Sequence, residues 1–315
     1  MKSKLIVSVV SAVVVAGCVG VAGYASHQAQ LAAEEGFANF VDKVEATFDN
    51  EIRITYGDVK TDLFGGNATV SDVVIRSPQG DPAFSMSSLV VTSEGHVEGS
   101  KLPTSAELAF QDFKVVHEAP LKGLKRRMNL DLENQLVHGT IGYQYNDAQD
   151  LMQPYLKVSM PGRNDVDISI DVSNVRGVWN VLEANYDKLD DRIVLDRDEN
   201  HEFKRNIRNI RLNNADFEYT NQGEIEKAIE RLAEKEGMSV EELVPHMSEV
   251  IDAQLGESGL APELKKFLVN PGKISVSLSA DQPVSMEDVR NSMRYLSRNH
   301  LKEALEGIDV SIKAN

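Results

Sequence analysis

Residues 51–92, EIRITYGDVKTDLFGGNATVSDVVIRSPQGDPAFSMSSLVVT, are the stretch that decides the fold. Apolar residues alternate with polar ones here, first at Ile52, Ile54 and Tyr56 and again over residues 68–76. Such a two-residue period is typical of strands that bury one face. Turn residues interrupt it at LFGGN (63–67) and SPQGDP (77–82). The sequence therefore predicts antiparallel strands joined by short connections.

The same alternation continues through residue 175 and predicts further strands at 83–92, 105–116, 136–145, 155–160 and 166–173. A short unit recurs in the chain: an aspartate, an apolar residue, any residue and a second apolar residue. The aspartates that open it are Asp72, Asp112, Asp167, Asp216 and Asp309. We expect each aspartate at a strand entry or a bulge, with both apolar side chains facing the core. Ordinary alternating strands and a stacked, repeat-like sheet would both produce this pattern.

The last third of the chain mixes helical and strand patterns. The predicted strands are 208–220, 273–280 and 308–313, and the predicted helices are 177–189, 224–235, 239–255, 261–269 and 285–305. Ser239 and Glu242 have the spacing of a capping box at the start of one helix. We expect these helices to cover the sheet.

Residues 28–49 have the three-to-four-residue period of an amphipathic helix. Its apolar positions are Phe37, Phe40, Val41, Val44 and Phe48. Its predicted polar face carries Glu34, Glu35, Asp42 and Glu45. Because this polar face is acidic, we expect the helix to pack on the body and not to lie flat on a bilayer.

The N-terminus predicts a membrane anchor. Lys2 and Lys4 precede residues 5–25, which carry no charge, and a helix of that length covers about 30 Å, the thickness of the hydrocarbon core. Positive flanks are retained in the cytoplasm. The sequence therefore predicts a single-pass protein of the bacterial cytoplasmic membrane, with its body in the periplasm.

Two other fates compete for this segment, namely cleavage as a signal peptide and acylation at Cys18. Residues 15–18, VAGC, resemble a bacterial lipobox, in which the cysteine is acylated, although apolar residues continue after Cys18. Ser8, Ala12, Ala16 and Gly20 recur every four residues and would share one helix face. Such a stripe of small residues lets two membrane helices pack closely, and it suggests a homodimer.

The predicted fold class is α+β: an N-terminal transmembrane helix, then a mostly antiparallel strand ladder, with helices covering it in the C-terminal third. The predicted regions are a cytoplasmic tip and anchor (1–26), a juxtamembrane amphipathic helix (27–50), a strand-rich region (51–175) and an α+β region continuous with it (176–315).

Charge and cysteine usage exclude several classes of partner and site. Outside the first 26 residues the chain carries 31 basic and 49 acidic residues. A surface so acidic repels phosphate backbones, so nucleic acid is not an expected partner. Cys18 is the single cysteine, which leaves the body without a disulfide or a thiolate zinc site.

No local signature of catalysis, cofactor binding or metal binding occurs in the sequence. The chain has no G-x-S-x-G elbow, no phosphate loop and no G-x-G-x-x-G, and no two of its seven histidines have the spacing of a helical metal pair. We therefore expect no cofactor and no metal. A hydrolase would need a site assembled from distant residues, and His117, His138 and His246 are the first candidates.

Two parts of the chain resemble known bacterial envelope families. The N-terminal unit is similar to that of AsmA-like periplasmic proteins at Leu63, Phe64, Gly65, Gly66, Val70, Asp72, Val73, Ile75, Pro78 and Gly80. The C-terminal third resembles the YdgA-like family of membrane-anchored bacterial proteins of unknown function at Leu212, Asp216, Tyr219, Gly223, Phe267, Leu268, Pro271, Gly272, Pro283, Val284 and Asn315. These resemblances imply envelope maintenance or contact with lipid, and they supply no catalytic residue.

The leading hypothesis is a non-enzymatic, membrane-anchored periplasmic protein that binds a hydrophobic ligand or another envelope protein through its sheet. The alternatives are a hydrolase with a non-local site, a scaffolding dimer, and a lipoprotein without a ligand.

Overall fold

The structure is a computed structural model that describes residues 27–47, 52–62, 67–77, 79–116, 135–185, 197–256, 259–296 and 309–314. It is a mixed α+β protein with a large antiparallel sheet, as the sequence predicts. Its elements, in chain order, are α1 His27–Thr47, β1 Arg53–Thr55, β2 Val59–Asp62, β3 Asn67–Arg76, β4 Pro82–His96, β5 Pro103–Val115, β6 Val137–Asn146, β7 Leu151–Met160, β8 Asn164–Ser173, α2 Arg176–Ala184, α3 Arg197–Asn209, β9 Arg211–Asn221, α4 Glu224–Glu236, α5 Val240–Leu255, α6 Ala261–Val269, β10 Lys273–Ser285, α7 Met286–Leu296 and β11 Asp309–Ala314.

The chain forms two compact units. The first comprises the described parts of Met1–Pro154 and Asn174–Ile210, and the second those of Tyr155–Ser173 and Arg211–Asn315. In the first unit β1 and β2 both pair with β3, which continues antiparallel through β4, β5 and β6. In the second unit β8, β9, β10 and β11 pair antiparallel in chain order.

Helix α1 covers the apolar face of the first unit. Ala33 and Phe37 pack among Val70, Leu89 and Leu108, each of which is less than 5% exposed. The following turns bury Val44 completely in a cluster that also contains Phe40, Ile52, Ile75 and Phe84. Because a fully buried Val or Leu contributes about 1.5–3 kcal/mol, this contact fixes the helix on the sheet. The helix and its packing on the body are confirmed.

Glu45 is not on the polar face of α1, where the helical period placed it. Its side chain is buried, with the residue 6% exposed, and its carboxylate accepts hydrogen bonds from Arg53 Nη1 (2.9 Å) and from the Ile54 N–H (2.7 Å). A buried carboxylate needs such partners. That prediction was wrong because strand β1 supplies the partners, and the helical period contains no information about β1.

Asp72 and Asp112 lie inside strands with left-handed backbone, at φ 50° and 51°. The registers of β3, β4 and β5 bring both aspartates beside Ser87 of β4. Along β3, Ala68 and Val70 are buried before Asp72, and Val73 and Ile75 are buried after it. The alternation of buried and exposed residues therefore shifts by one residue at Asp72. The predicted role of the aspartate at a bulge is confirmed for Asp112, where the pairing of β5 with β6 shifts register between Phe110 and Phe113, whereas the pairing of β3 with β4 keeps its register through Asp72. Asp309 opens β11 as predicted. Asp167 and Asp216 lie inside strands with no register shift beside them, so the prediction was wrong for these two.

Helix α3 occupies residues that the sequence left unassigned, and β9 begins at Arg211, later than predicted. The apolar residues of α3, chiefly Phe203 and Ile207, are too few to show a helical period. Its docking against α2 is a tertiary contact, in which Asn206 Nδ2 donates to the Gly177 carbonyl (3.0 Å). A Cβ at Gly177 would lie only 3.0 Å from the Asn206 side chain, so glycine permits this approach.

Helices α4, α5 and α6 share a small core in the second unit. Ile229, Ala233, Leu243 and Leu268 are its buried members. The capping box is confirmed, since the Glu242 N–H donates to Ser239 Oγ and the Ser239 N–H donates to the Glu242 carboxylate. Pro245 lies within α5, whose first turns it does not interrupt.

Within the described ranges, the helices are too short or too polar to cross a bilayer. Residues 5–25, on which the anchor was predicted, lie outside those ranges.

Asp72 offers a test of the left-handed backbone position inside β3. Replacing it with glycine should leave the free energy of unfolding unchanged or slightly raised, because glycine adopts positive φ freely. Replacing it with valine should cost about 1–2 kcal/mol, because a β-branched residue is strained there. Urea unfolding would measure both changes. The matched control is Asp167→Val, at a strand position without positive φ, and an equal loss at both positions would contradict this explanation.

Candidate functional site

The structure describes only some of the residues that the sequence predicts as sites. Ser8, Ala12, Ala16, Cys18 and Gly20, together with Leu63, Phe64, Gly65 and Gly66, lie outside the described residues. Asp72 has left-handed backbone inside β3, and Pro283 lies near the end of β10.

Pro271 and Gly272 lie at the junction between α6 and β10. The Asn221 side chain donates to the Pro271 carbonyl (2.9 Å), and the Asn221 N–H donates to the Gly272 carbonyl (2.7 Å). Asn221 Oδ1 in turn accepts from the N–H of Ile225 in the first turn of α4 (2.9 Å). The junction therefore links the ends of two strands to the start of a helix, which is a structural task.

His138 lies beside Asp112, to which Ser87 donates a hydrogen bond. Ser87 Oγ donates to Asp112 Oδ2 (2.7 Å), and the Asp112 N–H donates to His138 Nδ1 (3.2 Å). Because Nδ1 is an acceptor, a neutral His138 ring carries its proton on Nε2. In a catalytic triad the serine hydroxyl donates its hydrogen bond to the histidine, whereas here it donates to the carboxylate of Asp112. This arrangement stabilises the bulge and does not activate Ser87.

The other two candidate histidines do not join this cluster. His246 is exposed on α5, and His117 lies outside the described residues. Where the structure describes the chain, no three His, Cys, Asp or Glu side chains are grouped to hold a metal ion.

Helix α2 is fixed in the first unit by an aromatic stack and by polar contacts at both ends. The Trp179 ring stacks on Tyr145, with centroids 4.1 Å apart. At its N-terminus, Asp150 Oδ1 accepts from the N–H of Val175 (3.0 Å) and Arg176 (2.7 Å). A carboxylate is favourable at this positive end of the helix. The cap comes from 25 residues upstream, so no local capping signal predicts it.

Glu183 makes the polar contact at the other end of α2. Its carboxylate accepts hydrogen bonds from Ser100 Oγ (2.5 Å), the Lys101 N–H (2.7 Å) and the Leu102 N–H (3.4 Å). Burial raises the pKa of Glu183, but the hydrogen bonds lower it by more, so the pKa lies below the ordinary value of 4.5. The ionised carboxylate therefore stabilises the fold.

This contact predicts a pH-dependent effect on stability. A depressed folded-state pKa gives stabilisation that is complete above the unfolded-state pKa and lost as pH falls through the folded-state pKa. Glu183→Gln should cost about 1–2 kcal/mol at about pH 7, and the difference from the natural chain should shrink toward about pH 3. Urea unfolding followed by the fluorescence of Trp179, the only tryptophan, would measure it. A difference that stays constant with pH would contradict the assignment.

The second unit carries an apolar sheet face formed by strands β8 to β11. Strand pairing aligns its residues in three rows: Val166, Tyr219, Ile274 and Ala314; Ile168, Phe217, Val276 and Ile312; and Ile170, Ala215, Leu278 and Val310. We call these twelve residues the second-unit apolar face. Paired side chains lie on the same side of a sheet, so the three rows form one continuous surface.

Among the described residues, helix α6 covers one end of this face. Helix α6 packs against β11, and the Phe267 ring meets Tyr219 edge-on at 6.2 Å. In that row Ile274 and Ala314 are 8% and 3% exposed. In the middle row Phe217 is 38% exposed, although it lies at the centre of a strand. Its neighbours in this row, Ile168, Val276 and Ile312, are partly exposed. Apolar surface that stays accessible across neighbouring strands is a candidate binding site.

The opposite face of the same four strands is polar. Asp216 accepts hydrogen bonds from Ser277 Oγ (2.6 Å) and Asn214 Nδ2 (2.8 Å), and Glu218 pairs with Lys273 Nζ (2.6 Å). Polar groups on this face therefore satisfy one another.

A family model described as an uncharacterized protein matches residues 157–315, half of the chain. The chain belongs to this family. No curated protein matches the chain. The matched residues include all twelve positions of the second-unit apolar face.

Sequence reasoning missed Phe217 as a surface residue. The repeated aspartate unit predicts that both of its apolar residues face the core, and for Asp216 this is wrong at Phe217. Alternation shows that the residue lies on the apolar face. Which element covers that face depends on where α6 packs, and no local signal could have given this.

Proposed function

We propose that this chain is a membrane-anchored protein of the bacterial envelope that binds a hydrophobic ligand on the second-unit apolar face. The observation that carries the proposal is Phe217, 38% exposed at the centre of that face. Full burial of a phenylalanine contributes about 1.5–3 kcal/mol, so the uncovered part of this ring is a stabilisation that a ligand can supply.

The shape of the surface favours an extended apolar ligand such as a lipid acyl chain. The middle row runs across four strands from Ile168 through Phe217 to Ile312. Neighbouring strands are about 4.8 Å apart, so this row extends for roughly 14 Å. The rows contain no charged side chain, which suits a hydrocarbon and would penalise a polar solute.

The anchor proposed for residues 5–25 would place this surface beside a source of such ligands. Lys2 and Lys4 favour a cytoplasmic N-terminus, and the acidic body suits the periplasmic side. The resemblance to AsmA-like and YdgA-like proteins points to the same compartment and to lipid contact.

Photo-crosslinking in living cells tests the ligand. A photoreactive benzoylphenylalanine at position 217 should give a purified chain that carries the added mass of a lipid. The matched control is the same residue at Ser169, which is exposed on the polar face of the adjacent strand β8 and should give no such adduct. A protein adduct at position 217 would show that the bound partner is an envelope protein and not a lipid. No specific adduct at position 217 would overturn the proposal.

Intact-mass measurement tests the anchor. A chain purified from membranes should retain residues 1–17 and carry no added acyl mass, because the apolar stretch continues beyond Cys18. A chain that begins at an acylated Cys18 would replace the spanning helix with a lipid anchor. A chain that begins after Ala25 would contradict anchoring altogether. Cys18→Ser serves as the control, since it removes the acyl acceptor and leaves a spanning helix intact.

A further inference from the structure

Strand β11 is the last strand of the ladder in the second unit and pairs with β10 on one side. The hydrogen bonds of β10 determine which N–H and C=O groups of β11 point toward β10 and which point away from it. The Asn221 N–H donates to the Gly272 carbonyl, so Gly272 and every second residue after it turn their backbone groups toward β9. Antiparallel pairs alternate between bonded and non-bonded. On β11, Asp309, Ser311 and Lys313 therefore face β10, and Val310, Ile312 and Ala314 face away from it.

The contacts of Ala314 confirm this direction independently. Its N–H donates to Glu263 Oε2 of α6 (2.7 Å), and its carbonyl accepts from Lys266 Nζ of the same helix. Helix α6 therefore covers the edge of the sheet at Ala314. Within the part of the chain that the structure describes, no group meets the outward backbone of Val310 or Ile312. An edge of this kind is a template for another strand.

The edge is complementary to a second copy of itself. Three registers pair the open residues Val310 and Ile312 of two antiparallel β11 strands with each other. Pairing Ile312 with Ile312 of the partner subunit would use Ala314, which α6 already covers. Pairing Val310 with Val310 of the partner subunit places Ile312 opposite a position that precedes the partner's β11, so Ile312 gains no strand partner. Pairing Val310 with Ile312 of the partner subunit uses all four open residues and makes four backbone hydrogen bonds.

Side-chain charge favours the same register. When Val310 lies opposite Ile312 of the partner subunit, Asp309 lies opposite Lys313 of the partner subunit, and the two-fold axis repeats this pair. Ser311 then lies opposite Ser311 of the partner subunit. Opposite charges in directly opposed positions stabilise strand pairing, and like charges oppose it. The other two registers place neither aspartate opposite a lysine.

We propose that two copies of this chain associate through the edges of their β11 strands, antiparallel and two-fold symmetric, with Val310 opposite Ile312 of the partner subunit. This is an isologous interface, in which the same patch serves both copies. It is smaller than the surface that a stable soluble dimer buries. Association should therefore require a high local concentration, such as confinement on one membrane gives. The second-unit apolar faces of both copies would lie on the same side of the joined sheet.

Disulfide trapping of the full-length chain in isolated membranes tests the proposal. Ser311→Cys places two thiols at directly opposed, non-bonded positions, whose Cβ atoms lie about 4.5–5.5 Å apart. We expect a covalent dimer on a non-reducing gel after mild oxidation. The matched control is Ser169→Cys, which lies in the same row and face but in β8, a strand that is flanked by β7 and β9, and it should remain monomeric. The natural chain controls for Cys18.

Charge exchange in the Ser311→Cys background tests the register. Asp309→Lys alone or Lys313→Asp alone opposes like charges twice and should lower the trapped fraction at least about threefold. The double exchange restores opposite charges and should restore the dimer. Absence of a Ser311→Cys dimer, equal trapping at position 169, or failure of the double exchange to rescue the singles would each overturn the proposal. None of these measurements depends on whether the apolar face holds a ligand.

Discussion

The covering of an apolar sheet face by a helix is the contact on which this structure depends. Alternation along each strand creates such a face in both units, and water penalises it until another element covers it. In the first unit α1 covers it, so that Val70, Leu89 and Leu108 are buried. In the second unit α6 covers one row, and Phe217 in the next row is 38% exposed. Structural stability accounts for the first face, and the open part of the second is the surface on which we propose that a ligand binds.

Backbone geometry also affects which side chains the helices can bury. Asp72 and Asp112 adopt left-handed backbone on either side of Ser87. On β3 the alternation of buried residues shifts by one residue there. Short polar side chains tolerate this conformation better than branched apolar ones. Around the bulge on β5, Ser87 Oγ donates to the Asp112 carboxylate and the Asp112 N–H donates to His138 Nδ1. A group that a search for catalysis would select therefore has a structural explanation.

Much of the fold follows from local pattern. The strands β3 to β8 and the helices α4 to α6 were predictable, since periods of two and of three to four residues are visible within a single element. Helix α3 was not, because few of its residues are apolar and its position depends on the contact of Asn206 with Gly177. Glu45 looked like a surface residue by helical period, yet Arg53 and Ile54 bind it in the interior.

The sequence by itself determined the alternating strands, the capped helix at Ser239 and the apolar composition of each sheet face, because these are set by neighbours a few residues apart. Only the tertiary structure decided that α6 stops short of Phe217, that Asp150 caps α2, and that β11 leaves Val310 and Ile312 facing outward. These outcomes depend on elements distant in the chain, and burial is a property of all the elements that meet at a residue.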